Sequence, residues 1–311
     1  MFGWGLSVLG RIAARGKLSI LIYHQVLAEA DPMRPSEPTA EVFDWQMALL
    51  ARHFTPLSLD DALDGLKNGT LPANAVCVTF DDGYLNNLTV AQPILEKYRI
   101  PATVYVATAF SRGVNMWNDR VIHLFAEAQR DALNLGGEWV SLGGWPQRRQ
   151  LAEHWLRQLK YLPVEQRLEQ VRALYTDNTL AEQPPLMMTP EQVRTLSDKG
   201  IVIGAHTVNH PILKVLPAAQ QQQEIQQSKT ELEDWTGKEV RHFAYPNGVE
   251  GKDLDGDTMR HVQEAGFSTA VVTNWGTSDA DTSPFALRRF TPWDRSAARF
   301  HLRLLRNQVF S

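Results

Sequence analysis

Two adjacent carboxylates, in the run Val78-Thr79-Phe80-Asp81-Asp82-Gly83-Tyr84, are the side chains here best placed to do chemistry. They end an apolar, β-branched stretch, and a glycine then turns the chain toward a helical pattern. Neighbouring anions at a strand end repel each other and need a compensating cation. A metal ion meets that need for one of them and leaves the other to act as a base. The same dipeptide at Asp60-Asp61 reads differently, because Ser58-Leu59 precedes it and an amphipathic pattern follows. There the pair caps a helix and offsets its dipole.

A second group is Gly204-Ala205-His206-Thr207-Val208-Asn209-His210-Pro211, again at the end of an apolar run. With nine histidines in the chain, this spacing is weak by itself, and its place at a strand end gives it weight. Two neutral imidazoles and one carboxylate make a facial set with positions left open for water, as a catalytic metal requires. Two loop histidines in ordinary hydrogen bonds are the alternative. His24 ends the run Ile20-Leu21-Ile22-Tyr23, and Phe243-Ala244-Tyr245-Pro246-Asn247-Gly248 is a strand end followed by a turn. Asp253, Asp255, Asp257 and Glu264 share the spacing of several calcium-loop ligands. Thr258 stands where that loop needs glycine, so an acidic helix start explains them better. Cys77 is the only cysteine, which excludes an internal disulfide, and its apolar surroundings point to a buried, inert thiol.

The elements that must position these residues are legible as a pattern. Short apolar runs at 18–23, 76–80, 102–107, 201–205, 242–245, 269–273 and 286–290 read as buried strands. Helical patterns at 41–53, 60–68, 85–98, 190–199, 218–235 and 257–265 fall between most of them. This alternation predicts an α/β fold with a largely parallel sheet, and about seven strands suit a barrel with its functional residues at the strands' C-terminal ends. From about 111 to 188 no strand pattern is evident, only polar helical patterns at 148–162 and 165–175. The reading is one domain over 1–311 carrying a helical insertion, whose Trp117, Trp139, Trp145, Trp155 and Tyr161 serve as its core or as a surface for sugar rings.

At 311 residues and 43% hydrophobic content the chain can bury a sizeable core. A net charge of −4, from 31 basic and 35 acidic residues, gives no nucleic-acid footprint. At the N-terminus Phe2, Leu6, Leu9 and Ala13 share a helical face with basic residues just beyond. A helix packed on its own domain is expected there, with an interfacial membrane helix as the alternative. The charges follow the apolar stretch, the reverse of a secretory signal, so the expected location is cytoplasmic, with contact to the inner membrane face only in the alternative where that helix is interfacial.

Together these motifs resemble the polysaccharide deacetylase family, also called the NodB-homology or carbohydrate esterase four family, over 18–107 and 189–292. The Thr79–Tyr84 run is similar to its first motif, His206 and His210 to its H-x-x-x-H motif, and 241–248 more loosely to its third. The resemblance implies a distorted (β/α)7-type barrel that removes N-acetyl groups from an N-acetylated oligo- or polysaccharide. It makes Asp81 the general base and gives Asp82, His206 and His210 one divalent metal ion, zinc first, with cobalt, nickel or iron as alternatives. Ala244 stands where the family often has an arginine that orients the catalytic aspartate, and Arg288 or, preferably, Arg289 would substitute. The late Leu-x-His motif has no counterpart, because His301-Leu302 has the reverse order. Tyr23-His24 resembles the exopolysaccharide subgroup, which carries the acid histidine on its first strand. Tyr84, Tyr245, Pro246, Asn247 and Arg289 are then the candidates for contacts to the substrate or the oxyanion. A related barrel acting on a non-glycan amide, or a non-catalytic glycan-binding protein, is the alternative function.

Overall fold

A parallel strand covered on both faces reads as a continuous apolar run, and Ser19–Tyr23, Ala75–Phe80 and Ala102–Val106 are buried at every residue. The computed structural model describes residues 15–127 and 130–310, excluding the side chains of 309 and 310. The N-terminal face of Phe2, Leu6, Leu9 and Ala13 lies outside the described residues. Strand β1 (Ser19–Tyr23) leads to helix α1 (Ala40–His53), the short β2 (Thr55–Pro56), α2 (Leu59–Asn68) and β3 (Ala75–Phe80). A π-helical turn, Asn87–Ala91, runs into α3 (Gln92–Tyr98), followed by β4 (Ala102–Val106). Next come α4 (Trp117–Ala126), β5 (Ala132–Leu135), β6 (Glu138–Ser141), α5 (Trp145–Leu159) and α6 (Val164–Asp177). The alternation resumes with α7 (Pro190–Asp198), β7 (Val202–Ala205), α8 (Ala218–Thr236) and β8 (His242–Ala244). The last elements are α9 (Gly256–Glu264), β9 (Thr269–Trp275), β10 (Leu287–Arg289) and α10 (Ala297–Phe310).

These elements form two compact units, one holding the described residues up to Glu29 with Ser36–Arg112 and 188–310, the other Ala30–Pro35 and Gly113–Met187. In the first, the strands run parallel in the order β1-β3-β4-β7-β8-β9-β10, with β2 beside β3. The two ends of the sheet meet, because Ile22 N donates to Phe290 O at 3.0 Å and Phe290 N donates to Ile20 O at 2.7 Å. The result is the seven-stranded barrel expected from the alternation.

Alternate residues of each strand serve opposite faces. Ile20, Cys77, Tyr105, Ala244, Val271 and Leu287 pack in one cluster, joined by Leu59, Ala62 and Leu66 of α2. Leu21, Val78, Val104, Ile203 and Phe243 belong to the larger cluster that includes the flanking helices. Gly204 makes the inner packing possible: a Cβ there would lie 2.4 Å from Cδ1 of Tyr105. Helix α2 is capped by Ser58, whose Oγ accepts from Asp61 N at 3.1 Å. Asp60 does more than offset a dipole, since it pairs with Arg241 at 2.5 Å and lies 3.2 Å from His242 Nε2 at the start of β8. The α2 N-terminus therefore lies at the strands' N-terminal ends, leaving the other rim for chemistry.

The second unit departs from the purely helical reading. β5 and β6 pair antiparallel around Gly136 and Gly137, whose φ of 73° and 96° suit a tight hairpin. The unit has its own core, including Val121, Phe125, Leu133, Leu159 and Leu174, with Trp117, Trp145 and Trp155 packed against it. Trp139 and Tyr161 are exposed instead. Arg148 is buried and donates to the carbonyls of Phe125, Glu127, Arg130 and Gly143, stapling loop to helix. Among the described residues no helix is long and apolar enough to cross a membrane.

Candidate active site

Register brings the candidate residues to one level of the rim. Tyr23 pairs with Phe80, so His24 and Asp81 both stand one residue beyond their strands, and Asp81 N donates to Tyr23 O at 2.9 Å. Val106 pairs with Ala205, and His206 N donates to Val106 O at 3.1 Å, which puts His206 just past β7. The chain bends sharply at these ends. Asp82, Thr207, His210 and Asn247 all have positive φ, at 73°, 64°, 53° and 62°. Non-glycine residues hold such conformations only where their surroundings over-determine them, and such sites are often functional. Gly83, at φ 85°, follows Asp82 closely enough to the next strand that a Cβ would sit 3.0 Å from Val106 Cγ1.

Asp82, His206 and His210 offer one ligand atom each within 4.8 Å of one another, the one such group of three among the described residues. His206 Nδ1 lies 2.7 Å from Ala244 O and donates to it, which leaves Nε2 as the ring nitrogen facing Asp82, free to ligate once deprotonated. The Nε2 atoms of His206 and His210 stand 3.5 and 3.4 Å from Asp82 Oδ1. That oxygen is buried and has no hydrogen-bond partner. A buried carboxylate oxygen without a donor is costly, and two imidazole nitrogens converging on it make a donor set that fits a divalent cation. Burial disfavours charge on His206, but the nearby Asp82 carboxylate, with Asp81, outweighs it and raises its pKa. His210 goes the other way, to about 4, because burial is reinforced by the neighbouring His206 and outweighs Asp82. Burial would raise the Asp82 carboxyl, yet His206, His210 and His24 hold it well below the usual range.

Beside this group, Asp81 is buried and gripped by Arg289 through two parallel hydrogen bonds of 2.7 Å each. Arg289 is itself fully buried, and its Nε donates to Val272 O at 3.1 Å. Burial alone would raise the Asp81 carboxyl; the Arg289 charge, with His206 and His24, overcomes that and lowers it. Of the two arginines considered, Arg288 points to solvent and Arg289 occupies the site. His24 is half-buried and close enough for its charge to act on Asp81, Asp82 and His210. Its carbonyl accepts from Asn87 Nδ2 at 2.9 Å, which fixes the strand end that carries it.

Not every candidate contributes a side chain. Tyr245 packs against Phe243 in the larger core cluster and its hydroxyl donates to Phe285 O at 3.0 Å, so its ring serves the fold. Tyr84 is buried as well, which leaves its backbone as the relevant part. Pro246 and Asn247 form the turn after β8, where Pro246 O accepts from Gly248 N and Asn247 O from Thr273 Oγ1. His301 stacks near His53 of α1, consistent with its place in the terminal helix. Cys77 is buried, its thiol pKa is pushed up by burial, and Sγ donates to Ser58 O at 3.6 Å. Asp255 caps α9 by accepting from Thr258 N, in place of any calcium role. Sequence reading missed Glu224 of α8, whose carboxylate accepts from Val208 N, Asn209 N and Asn209 Nδ2. A glutamine-rich helix gives no local signal for such a contact.

The family's sequence profile, that of the polysaccharide deacetylases, matches residues 68–270. The chain belongs to the polysaccharide deacetylase family, and it is thereby a hydrolase of carbon–nitrogen bonds other than peptide bonds. It is 22% identical over 274 residues to YxkH of Bacillus subtilis (strain 168), named for the same family, covering 88% of this chain and 70% of that one. Among solved structures it is similar to the Streptococcus pyogenes deacetylase PplD in complex with acetate, with a TM-score of 0.63 and 20% identity over 93% of this chain and 98% of that one. IcaB from Ammonifex degensii superposes with a TM-score of 0.61 at 19% identity, covering 94% of this chain and 97% of that one. At these identities the structural likeness is one of fold.

Proposed function

We propose that this chain removes N-acetyl groups from an N-acetylated glycan, in exopolysaccharide or cell-envelope glycan metabolism, using one divalent cation, zinc first. The observation that carries the reading is the side-by-side placement of an arginine-held carboxylate, Asp81, and the Asp82, His206 and His210 group. A cation held by those three residues supplies Lewis acidity, acidifying water and polarising a carbonyl oxygen.

The chain's own residues do the rest. Asp81, kept ionised by Arg289, takes the proton from the water that attacks the acetamide carbon. The Tyr84 N–H donates to the oxyanion that develops on the carbonyl oxygen. His24 gives a proton to the departing nitrogen as the C–N bond breaks, so acetate and a free amine result. An amine is a poor leaving group until protonated, which gives His24 a role in turnover that Asp81 does not fill. The name of the acetate-bound neighbour PplD, a deacetylase, supports the reaction class.

The test is acetate release from a panel of N-acetylglucosamine oligomers, using metal-stripped protein with zinc, cobalt, nickel or ferrous iron restored singly. Acetate only after metal addition is the expected result. No acetate from protein that binds one equivalent of metal would redirect the search to a non-glycan amide, and no metal binding would remove the proposed ligand set.

A further inference from the structure

We infer that Glu224, on helix α8, is a positioning residue that sets the place of His210 and so pre-organises the metal site; this rests on the metal reading above. The three ligand residues are not held alike. Asp82 follows β3 and His206 follows β7 directly, with its ring fixed by the Ala244 carbonyl at 2.7 Å. His210 instead sits at the far end of the loop 207–210, where both Thr207 and His210 have left-handed backbone, φ 64° and 53°.

Such a loop keeps its shape only if its surroundings dictate it. Part of that constraint is internal, since Thr207 Oγ1 accepts from His210 N at 3.0 Å. Part comes from the segment after β4, where Thr108 N donates to Thr207 O at 3.2 Å and Ala109 N to Val208 O at 3.0 Å. The middle of the loop is held by Glu224. One carboxylate oxygen accepts from Val208 N at 2.9 Å and Asn209 N at 2.8 Å, and the other from Asn209 Nδ2 at 2.7 Å.

Consecutive N–H groups pointing at a carboxylate form an anion-binding concavity, and here helix α8 supplies the anion. Charge-assisted bonds of this kind are stronger than neutral ones and fix orientation as well. Glu224 touches none of the ligand atoms, so its effect passes entirely through the loop to His210. Partners one step removed from a metal commonly tune affinity in this way.

Metal-free wild type, Glu224→Gln, Glu224→Asp and Glu224→Ala would each be titrated with Co2+ by calorimetry and visible absorption. Thermal unfolding of the metal-free proteins would run in parallel. Glutamine keeps an acceptor for the two backbone donors, and an amide flip of Asn209 restores the third bond, so this variant should bind nearly as wild type does. Aspartate keeps the charge but withdraws it by one methylene, and it should lose about 10-fold or more in affinity, with alanine losing up to about 100-fold and altering the Co2+ spectrum. Aspartate and alanine variants that fold and bind within about threefold of wild type would overturn the inference, well short of what lost support of a ligand costs. Should alanine fail to fold, the aspartate variant decides. Wild type that binds no Co2+ would overturn the metal site and this inference together, whereas wild-type binding with unchanged variants overturns this one alone.

Discussion

Replacing Arg289 by methionine keeps much of the side-chain volume and removes the charge that compensates Asp81. Both partners are buried, at 0% and 4% side-chain exposure, and joined by two hydrogen bonds of 2.7 Å. Removing one member of such a pair strands the other charge in the interior, at a cost of about 3–5 kcal/mol. With a urea dependence of about 2–3 kcal/mol per molar, the unfolding midpoint of the metal-free protein should fall by about 1–2.5 M. Asp81→Asn strands Arg289 and should also destabilise. The double variant carries neither charge, so it should lose less than the two single losses added, by about 2 kcal/mol or more. The pH dependence follows from the same pair. In wild type the lowered Asp81 pKa contributes stability above the unfolded carboxylate value, and that contribution is lost as pH falls through the folded value. Without Arg289 burial pushes the carboxyl up instead, so the deficit of Arg289→Met should shrink in acid and the acid limb of its pH–rate profile should move to higher pH. Strict additivity of the single variants, or a loss from Arg289→Met below about 1 kcal/mol, would refute this account.

Asp82→Ala should bind no metal, whereas His24→Ala should bind it as wild type does and lose catalysis; atomic absorption and acetate release separate the two. Metal content equal to wild type in Asp82→Ala would reject the assignment. Metal binding should release protons near neutral pH, because His206 has a raised pKa and must give up its proton to ligate, while His210, at about 4, has none to give. Calorimetry in buffers of different ionisation enthalpy should show affinity falling from pH 8 to 6. Gly204→Ala forces a methyl into the Tyr105 ring, 2.4 Å from Cδ1, and should cost about 1–3 kcal/mol in thermal unfolding.

The seven barrel strands were legible because a strand buried on both faces leaves an unbroken apolar run, and each one read from the sequence is present within a residue or two at most ends. The candidate site residues were legible because they stand where those runs stop. β2 was not, as two residues carry no period. The hairpin at Ala132–Leu135 and Glu138–Ser141 has mixed polarity, so only its Gly136-Gly137 turn could have announced it. The helix read over 85–98 opens as a π-turn, a distinction no periodicity makes. Tyr245 is a candidate through the likeness of 241–248 to the family's third motif, and that likeness does not record that its ring takes the core side of the pleat. Glu224 and the choice of Arg289 over Arg288 depend on contacts made across the fold, which local patterns do not record.

Asp81 and Arg289 are 208 positions apart in the chain. During synthesis the aspartate emerges well before its counter-charge, which arrives together with the Phe290 backbone that joins the last strand to the first. A chain that ends before Arg289 lacks both the backbone that closes the ring and the mate of the buried Asp81 carboxylate. Closure of the ring and compensation of the Asp81 charge thus depend on the same two residues, Arg289 and Phe290. Products that end before Arg289 should be inert as well as short, since Asp81 then has no counter-charge.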